Sequence, residues 1–255
     1  MAESELGFSS KTLTLISHKL RTPLSIINGY SEAVISQTGK EKFSPFTSKA
    51  LDEIHKQGGR MSLLIDKLGT FSQVTSATAD KLEKREVELK ALIKECASKI
   101  ISQEADENTI PPTSLEEAQA KRGTFIEIDC STQLRLNAHE PFLRLCIEEL
   151  LANAIKFNNK MEKVIKVQGT NHGDSISVSV RDYGVGIRPQ DVARIFEPFY
   201  QVDDYFTGQV SGWGLGLPMV KYAVELHGGT VSVVSDRGLG SIFTINFPIP
   251  VANNG

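Results

Sequence analysis

An unbroken series of apolar or small residues at alternating intervals of three and four constrains this fold more than any other feature of the sequence. The series comprises Leu51, Ile54, Gly58, Met61, Ile65 and Leu68. Such spacing is typical of the buried stripe of a helix that packs lengthwise against other helices. A similar stripe lies upstream, at Leu13, Ile16, Leu20, Leu24, Ile27, Tyr30 and Val34. The sequence therefore predicts two long helices joined by a turn between Gly39 and Pro45.

Two helices of this length cannot bury both stripes against each other alone. We expect a homodimer in which two such hairpins form a four-helix bundle, with packing against the rest of the same chain as the alternative. His18 then lies at the heptad position farthest from the stripe and faces solvent. Pro23 removes a helical hydrogen bond and is expected to bend the first helix beside His18.

Composition narrows the classes of partner. The net charge of −3 over 255 residues, with acids and bases interspersed, gives no basic surface for nucleic acid. The three widely spaced cysteines indicate neither a disulfide framework nor a zinc site, so a reducing cytoplasm is expected. No apolar run reaches the roughly 20 residues that cross a bilayer. Membrane contact is not expected for this segment, and a membrane-bound sensor region would lie elsewhere in the polypeptide.

The remainder of the chain predicts an α+β domain. We place the hairpin at residues 1–76, a linker at 77–82 and the second domain at 83–250. Strand-like alternation follows the linker, with a helix near 141–157. The strands are expected at 85–89, 124–129, 164–169, 175–181, 230–235 and 241–247. Helices on one face of a mixed sheet give an α/β sandwich, and residues 103–121 are expected to be a surface loop.

A polar stripe on the helix near 141–157 suggests a ligand site. Glu149, Asn153 and Lys156 share one face, opposite an apolar one. Taken alone, this stripe could equally be a solvated surface. Further along, Asp182 ends a strand and is followed by Gly184 and Gly186, which allow backbone to approach a ligand closely. A carboxylate accepts a hydrogen bond from the exocyclic amine of adenine, which guanine cannot offer, so adenine is favoured.

A second glycine cluster opens a later helix, which ends at His227-Gly228-Gly229. Its residues are Gly212, Gly214, Leu215 and Gly216, followed by Pro218. Free amide groups at a helix start bind phosphates. The cluster lacks the Gly-Lys-Ser/Thr ending of a phosphate-binding loop and does not follow the first strand of a βαβ unit, so both of those nucleotide folds are excluded.

Together these motifs resemble those of the sensor histidine kinases, whose ATP-binding domain belongs to the gyrase-type (Bergerat) ATPases. The matching segments occur in the family's order. The segment Ser-His-Lys-Leu-Arg-Thr-Pro-Leu at 17–24 is similar to the phosphoacceptor box, and 149–157 is similar to the N-box. Residues 182–186 are similar to the first glycine box, Phe-Glu-Pro-Phe-Tyr at 196–200 to the phenylalanine box, and 212–217 to the second glycine box. The resemblance covers nearly the whole chain.

The resemblance implies a reaction and a role for each matched residue. ATP would phosphorylate His18, and the phosphoryl group would then pass to an aspartate of a response regulator. Asn153, assisted by Glu149, would bind Mg²⁺, Lys156 the phosphates, and Asp182 adenine. Residues from about 199 to 212 would cover ATP, which favours transfer over hydrolysis. The remaining pocket residues would be Phe157, Gly184, Gly186, Gly212, Gly214, Leu215 and Gly216.

Three positions depart from the family pattern. Lys19 replaces the usual acidic neighbour of the histidine and cannot act as a base at neutral pH, so slow autophosphorylation is predicted. Gln201 stands where an arginine is frequent, leaving Lys156 as the cation near the γ-phosphate. Glu149 replaces a common asparagine and could permit some ATP hydrolysis. The alternative function is a degenerate kinase that serves as a partner-binding scaffold or regulator phosphatase, with Thr22 positioning the attacking water.

Overall fold

A helical hairpin forms the first of two compact units, which divide between Ser76 and Ala77. The computed structural model describes residues 10–37, 44–103, 123–202 and 213–249. Helix α1 spans Ser10–Gln37 and α2 spans Pro45–Ser76. Pro45 begins α2, a position that proline favours, and the hydroxyl of Ser44 accepts a hydrogen bond from the Thr47 amide at 3.1 Å. The predicted turn at 38–43 lies outside the described residues.

The two helices of the hairpin approach closely at Gly58. A Cβ atom at this position would lie 2.9 Å from Cγ of Asn28 and would overlap its Oδ1 atom. The Nδ2 group of Asn28 donates to the Ser62 hydroxyl at 3.2 Å. Leu24 and Ile65 from the predicted stripes are buried. Packing thus explains the glycine at position 58, because only glycine leaves room for the Asn28 side chain.

The second unit is an α+β domain, as the sequence predicts. A short 3₁₀ turn at Ala79–Lys81 precedes it. Its elements are β1 Arg85–Glu88, α3 Leu89–Gln103, β2 Thr124–Cys130, β3 Arg135–Ala138, α4 Glu140–Lys156, β4 Lys163–Asn171, β5 Ser175–Asp182, α5 Pro189–Val192, α6 Gly216–Leu226, β6 Thr230–Asp236 and β7 Gly240–Pro248. Strand β3 and the single-turn helix α5 were not predicted from the sequence. The predicted surface loop falls on residues 104–122, which are not described.

A mixed five-stranded sheet, in the order β2-β4-β5-β7-β6, organises this unit. Strands β2 and β4 are parallel and the other neighbours are antiparallel. Strands β1 and β3 form a separate antiparallel pair. Helix α4 packs on β4 and β5, with α3 and α6 beside it. The core lies between these helices and the buried side of the sheet, and it includes Leu143, Ile147, Leu151, Ile165, Val167, Val178, Val180, Val220 and Ile245. The predicted fold class of a helical hairpin followed by a mixed-sheet α/β domain is confirmed.

Candidate active site

The polar stripe of α4 lies at the edge of the core. Leu150, Leu151 and Ala154 are buried on the apolar side of the helix, whereas Glu149, Asn153 and Lys156 are half-buried. Lys156 Nζ lies 4.7 Å from the ring centroid of Phe157, the residue that caps the helix. This contact holds the ammonium group against an aromatic face at the carboxyl end of α4.

The start of α6 meets the same stripe. A Cβ atom at Gly216, the first residue of α6, would overlap Oε2 of Glu149 and lie 3.3 Å from its Cδ. The same atom would lie 3.9 Å from Nδ2 of Asn153. Leu215 is buried at the N-cap and provides no side-chain hydrogen bond to the helix. The structure therefore brings Glu149, Asn153 and the amino end of α6 together.

Asp182 lies at the end of β5 and is only 5% exposed. Its Oδ1 atom accepts a hydrogen bond from the Gly184 amide at 2.8 Å. Burial raises the pKa of Asp182, and hydrogen bonds from Gly184 and Ser241 partly oppose that rise. Ser241 on β7, which the sequence did not single out, also contacts the Ser235 hydroxyl at 3.0 Å. Ser241 thus supports the carboxylate from the neighbouring strand β7, and Ser235 on β6 contacts Ser241.

The first glycine cluster fits between α4 and the β6–β7 turn. A Cβ atom at Gly184 would overlap the carbonyl oxygen of Phe157 and lie 2.9 Å from its carbonyl carbon. The Val185 amide donates to that same oxygen at 3.1 Å. Gly186 has a φ of +67° and faces the backbone of Asp236. Glycine is required at both positions because backbone lies where a side chain would be.

Gly214 joins the segment before α6 to the end of the phenylalanine box. It has a φ of +65°, and a Cβ atom there would lie 2.6 Å from the carbonyl oxygen of Tyr200. The Phe199 amide donates to the Gly214 carbonyl at 2.8 Å. Phe199 itself has a φ of +64°, which is unusual for a residue with a side chain. Gly212 and the rest of the predicted cover at 203–212 lie outside the described residues.

A buried carboxylate that the sequence analysis missed anchors Tyr200. Asp191, 3% exposed, accepts from Arg188 Nε at 2.6 Å and from the Tyr200 hydroxyl at 2.7 Å. The guanidinium of Arg194 stacks 4.1 Å from the Tyr200 ring centroid. Hydrogen bonds from Arg188 and Tyr200 lower the pKa of Asp191. The i, i+3 spacing of Arg188 and Asp191 was the available sequence signal.

The predicted phosphoacceptor segment lies within α1. His18 and Thr22 are one turn apart on this helix, and their side chains, with that of Lys19, lie outside what the structure describes. The neighbouring Ser17 and Leu24 are buried. Arg21 pairs with Asp66 of α2 at 2.8 Å across an exposed surface.

The described residues lack two kinds of feature. They contain no cluster of three or more His, Cys, Asp or Glu side chains that could hold a metal ion. No helix among them is long and apolar enough to cross a bilayer.

Two family models match the chain, one in each unit. The model of the His Kinase A (phospho-acceptor) domain matches residues 9–77. The model described as histidine kinase-, DNA gyrase B-, and HSP90-like ATPase matches residues 138–251.

Curated relatives match over nearly the whole chain. The phosphate regulon sensor protein PhoR of Pseudomonas aeruginosa is 30% identical over 93% of this chain and 49% of its own length. The non-motile and phage-resistance protein of Caulobacter vibrioides is 30% identical over 99% of this chain and 28% of its own length. The sensor histidine kinase RcsC of Escherichia coli is 29% identical over 97% of this chain and 24% of its own length. The chain therefore spans about half or less of the length of these relatives.

Two solved structures share the fold of this chain. Full-length ShkA in complex with AMPPNP has a TM-score of 0.71 and 26% identity, covering 94% of this chain and 46% of that one. The Acinetobacter baumannii histidine kinase AdeS shares the fold, with a TM-score of 0.57 and 21% identity over 92% of this chain and 98% of its own. We conclude that the chain belongs to the two-component sensor histidine kinases, which are ATP-dependent protein-histidine kinases.

Proposed function

We propose that this chain is an autokinase that transfers the γ-phosphoryl group of ATP to His18 and from there to an aspartate of a response regulator. The observation that carries the proposal is the meeting of Glu149 and Asn153 on α4 with Gly216 at the start of α6. It combines hard oxygen ligands with helix amides, which are the groups that a Mg²⁺-bound triphosphate requires.

Adenine is assigned to the pocket at the end of β5. Asp182 is buried and already accepts the Gly184 amide, so its carboxylate is held in one orientation. A fixed acceptor suits the exocyclic amine of adenine and disfavours the carbonyl of guanine. Gly184 and Gly186 let the segment after Asp182 pack against the backbone of Phe157 and Asp236 beside this carboxylate.

The phosphates are assigned to Lys156 and to the amino end of α6 with Gly212, Gly214 and Leu215. Asn153 and Glu149 are the residues that would hold Mg²⁺. Their oxygens fit this ion, which takes one or two protein ligands and otherwise binds phosphate and water. The bound ion would neutralise charge on the triphosphate.

The imidazole of His18 performs the proposed substitution. A ring nitrogen with a free lone pair attacks the γ-phosphorus, a P–N bond forms, and the P–O bond to ADP breaks as ADP leaves with the electron pair. The imidazole then loses its remaining ring proton to a base or to solvent. Lys156 balances charge on the transferred group, and no arginine follows Tyr200 to share that task because Gln201 occupies the position.

Lys19 makes the proposed autophosphorylation slow. An ammonium group next to His18 in the sequence cannot accept the imidazole proton at neutral pH. The imidazole therefore lacks a neighbouring base that orients it. General-base assistance is worth about 10²–10⁴-fold in rate.

Exposed apolar side chains on the hairpin support a homodimer. Leu20, Ile27, Ile54 and Met61 from the predicted stripes are 40–48% exposed in one chain. A second hairpin would cover them, because packing of such stripes stabilises four-helix bundles. The dimer is proposed to act in a reducing cytoplasm, where the free and buried cysteines Cys96, Cys130 and Cys146 remain reduced.

Thr22 supports a second activity of the same helix. It follows His18 by one helical turn and therefore lies on the same face of α1. A hydroxyl at this point could position water for dephosphorylating the regulator. A chain that binds ATP without labelling His18 would act in this way or as a scaffold.

The test is to incubate the purified chain with Mg²⁺ and γ-labelled ATP and to follow protein-bound label that is acid-labile and base-stable. We expect slow labelling that disappears in His18→Gln while ATP binding persists. His55→Gln is the matched control, since His55 is an exposed histidine on α2 that contacts Ser31. ATP binding without label would refute the kinase, and a strong ATPase activity of residues 80–255 would favour hydrolysis through Glu149.

A further inference from the structure

Helices α4 and α6 carry most of the proposed nucleotide site and run antiparallel to each other. Three contacts define their register. Gly216 meets Glu149, the Cys146 thiol lies 3.8 Å from the Val220 carbonyl oxygen, and the last contact joins the far ends of the two helices. The proposed phosphate site lies at the first of these contacts. The alignment of that site therefore depends on the register at the other end.

The far contact is made by His227, which caps α6. Its Nε2 atom accepts a hydrogen bond from the backbone amide of His139 at 3.0 Å. Its Nδ1 atom lies 2.6 Å from the Ala223 carbonyl oxygen, in the last turn of its own helix. A carbonyl oxygen only accepts and an amide N–H only donates, so the ring is neutral with its proton on Nδ1.

His139 is the N-cap residue of α4, and its side chain makes no capping hydrogen bond. In a capping box, an acid or amide side chain at the third helical position accepts the amide of the N-cap residue. Here that position is Phe142, which cannot accept. The imidazole of His227 supplies the missing acceptor from a different helix, 88 residues away in sequence.

We propose that His227 is a positioning residue for nucleotide binding: as a neutral Nδ1–H imidazole it caps α4 and sets the register that brings Glu149 and Asn153 to Gly216. The inference rests on the proposed nucleotide site and adds to it a residue at the opposite end of both helices. The side chain lies at the end of both helices away from the proposed phosphate site, so its effect passes through the two helices. Protonation of Nε2 removes the acceptor and releases α4.

The surroundings of His227 favour the neutral ring. Burial lowers its pKa, the Ala223 hydrogen bond opposes this, and the charges of Lys84 and His139 lower it further. Lys84 precedes β1 and His139 precedes α4, while β7 presents the uncharged ring of Phe247 at 5.7 Å. Because the folded-state pKa lies below the ordinary value of 6.5, the stabilisation is complete above pH 6.5. It is lost as the pH falls from there towards the folded-state pKa.

The variants His227→Phe and His227→Gln separate the acceptor from the volume of the side chain. Phe fills the space without an acceptor and is expected to raise the Kd for Mg²⁺-ATP roughly 3- to 10-fold, the worth of one hydrogen bond. Gln carries an amide oxygen that can replace Nε2, so its Kd is expected to remain near wild type. The matched control is His172→Gln, because His172 is exposed and bonds Ser177 at 2.8 Å.

A pH series distinguishes positioning from simple packing. The wild-type Kd is expected to rise more steeply than that of His227→Gln as the pH falls from 7.5 to 5.5. Protonation of ATP itself affects both proteins equally and therefore cancels in the comparison. His139→Leu keeps the backbone amide and should keep the steep dependence. Equal pH profiles for wild type and His227→Gln, or a Gln variant as weak as Phe, would overturn the proposal.

A nitrogen-15 NMR measurement of the full chain tests the geometry without nucleotide. The His227 ring should show a protonated Nδ1 and an unprotonated Nε2 at pH 7.5. A ring with its proton on Nε2 would contradict the proposal even if His227→Phe fails to fold. Failure of the wild-type chain to bind ATP would instead refute the proposed nucleotide site, while the ring tautomer would still be measurable.

Discussion

Replacing Asp182 with Asn separates nucleotide recognition from folding stability. The carboxylate is 5% exposed, and burial raises its pKa. A raised folded-state pKa means that stability falls as the pH rises from the ordinary value of 3.8 through the folded-state value. The ionised group therefore costs stability at neutral pH. Asn removes that cost but also removes one acceptor.

The loss of an acceptor sets the size of the effect on binding. Asp182 accepts the Gly184 amide at 2.8 Å and also bonds Ser241. The Nδ2 group of an asparagine at this position cannot accept, so it would face at least one of these donors or turn towards adenine. A hydrogen bond to a charged group contributes about 1.5–3 kcal/mol. The Kd for ATP should rise about 10- to 150-fold. Stability should change by no more than about 1 kcal/mol, since the relieved burial of charge offsets the weaker hydrogen bonds.

The assay is calorimetric titration of Mg²⁺-ATP into the wild-type chain and into Asp182→Asn, with urea unfolding of both. Asp174→Asn is the matched control, because Asp174 is an exposed aspartate in the β4–β5 turn. Wild-type affinity in Asp182→Asn would refute the assignment of adenine to this carboxylate. An equal loss of affinity in Asp174→Asn would show that the effect is not local to the pocket.

The remaining predictions concern Gly184, Gly59 and Lys19. Gly184→Ala should destabilise the second unit by about 1–3 kcal/mol in thermal unfolding, because its Cβ would overlap the Phe157 carbonyl. Gly59→Ala on α2 should stabilise the hairpin by about 1 kcal/mol, because no heavy atom lies within 4 Å of the new Cβ. If Gly184→Ala and Gly59→Ala changed the stability in the same direction, the contrast between the two glycines would be contradicted. Lys19→Glu should raise the rate of His18 labelling at least about 10-fold, and a wild-type rate already typical of sensor kinases and unchanged by Lys19→Glu would contradict the role given to Lys19.

Local pattern predicted the elements of the fold well. The stripe of α4 and the alternation in β4 and β5 are periodic signals, and their bounds differ from expectation by only a few residues. Strand β3 was not predicted, because it is short and its pairing with β1 is a tertiary contact. The single turn of α5 carries too few residues for a periodic signal.

The chemistry of the glycines was predictable, but their partners were not. Gly184 was expected to let backbone approach a ligand and Gly216 to line the pocket, and the structure adds that their protein neighbours are Phe157 and Glu149. Gly58 was placed by periodicity in the buried stripe of a helix, and the structure shows that its absent side chain makes room for Asn28. Such reasons depend on contacts between distant segments, which helix propensity does not contain.

Polar residues that act through other residues left the weakest signals. Asp191 and Ser241 become recognisable only once Tyr200 and Asp182 are located beside them. The sequence placed His227 only at the end of a helix, because its bond to the His139 amide spans 88 residues of sequence. The roles proposed for the nucleotide residues remain predictions that binding measurements test.

Mapping the phosphorylated residue by mass spectrometry under neutral to alkaline conditions tests the central claim most directly. The chain is incubated with Mg²⁺-ATP, digested, and searched for phosphohistidine, with Asn153→Ala as the variant that should lose the modification. We expect the phosphoryl group on His18 in the wild-type chain and on neither His18 nor His55 in Asn153→Ala. Phosphohistidine at a residue other than His18, or equal modification in Asn153→Ala, would contradict the account.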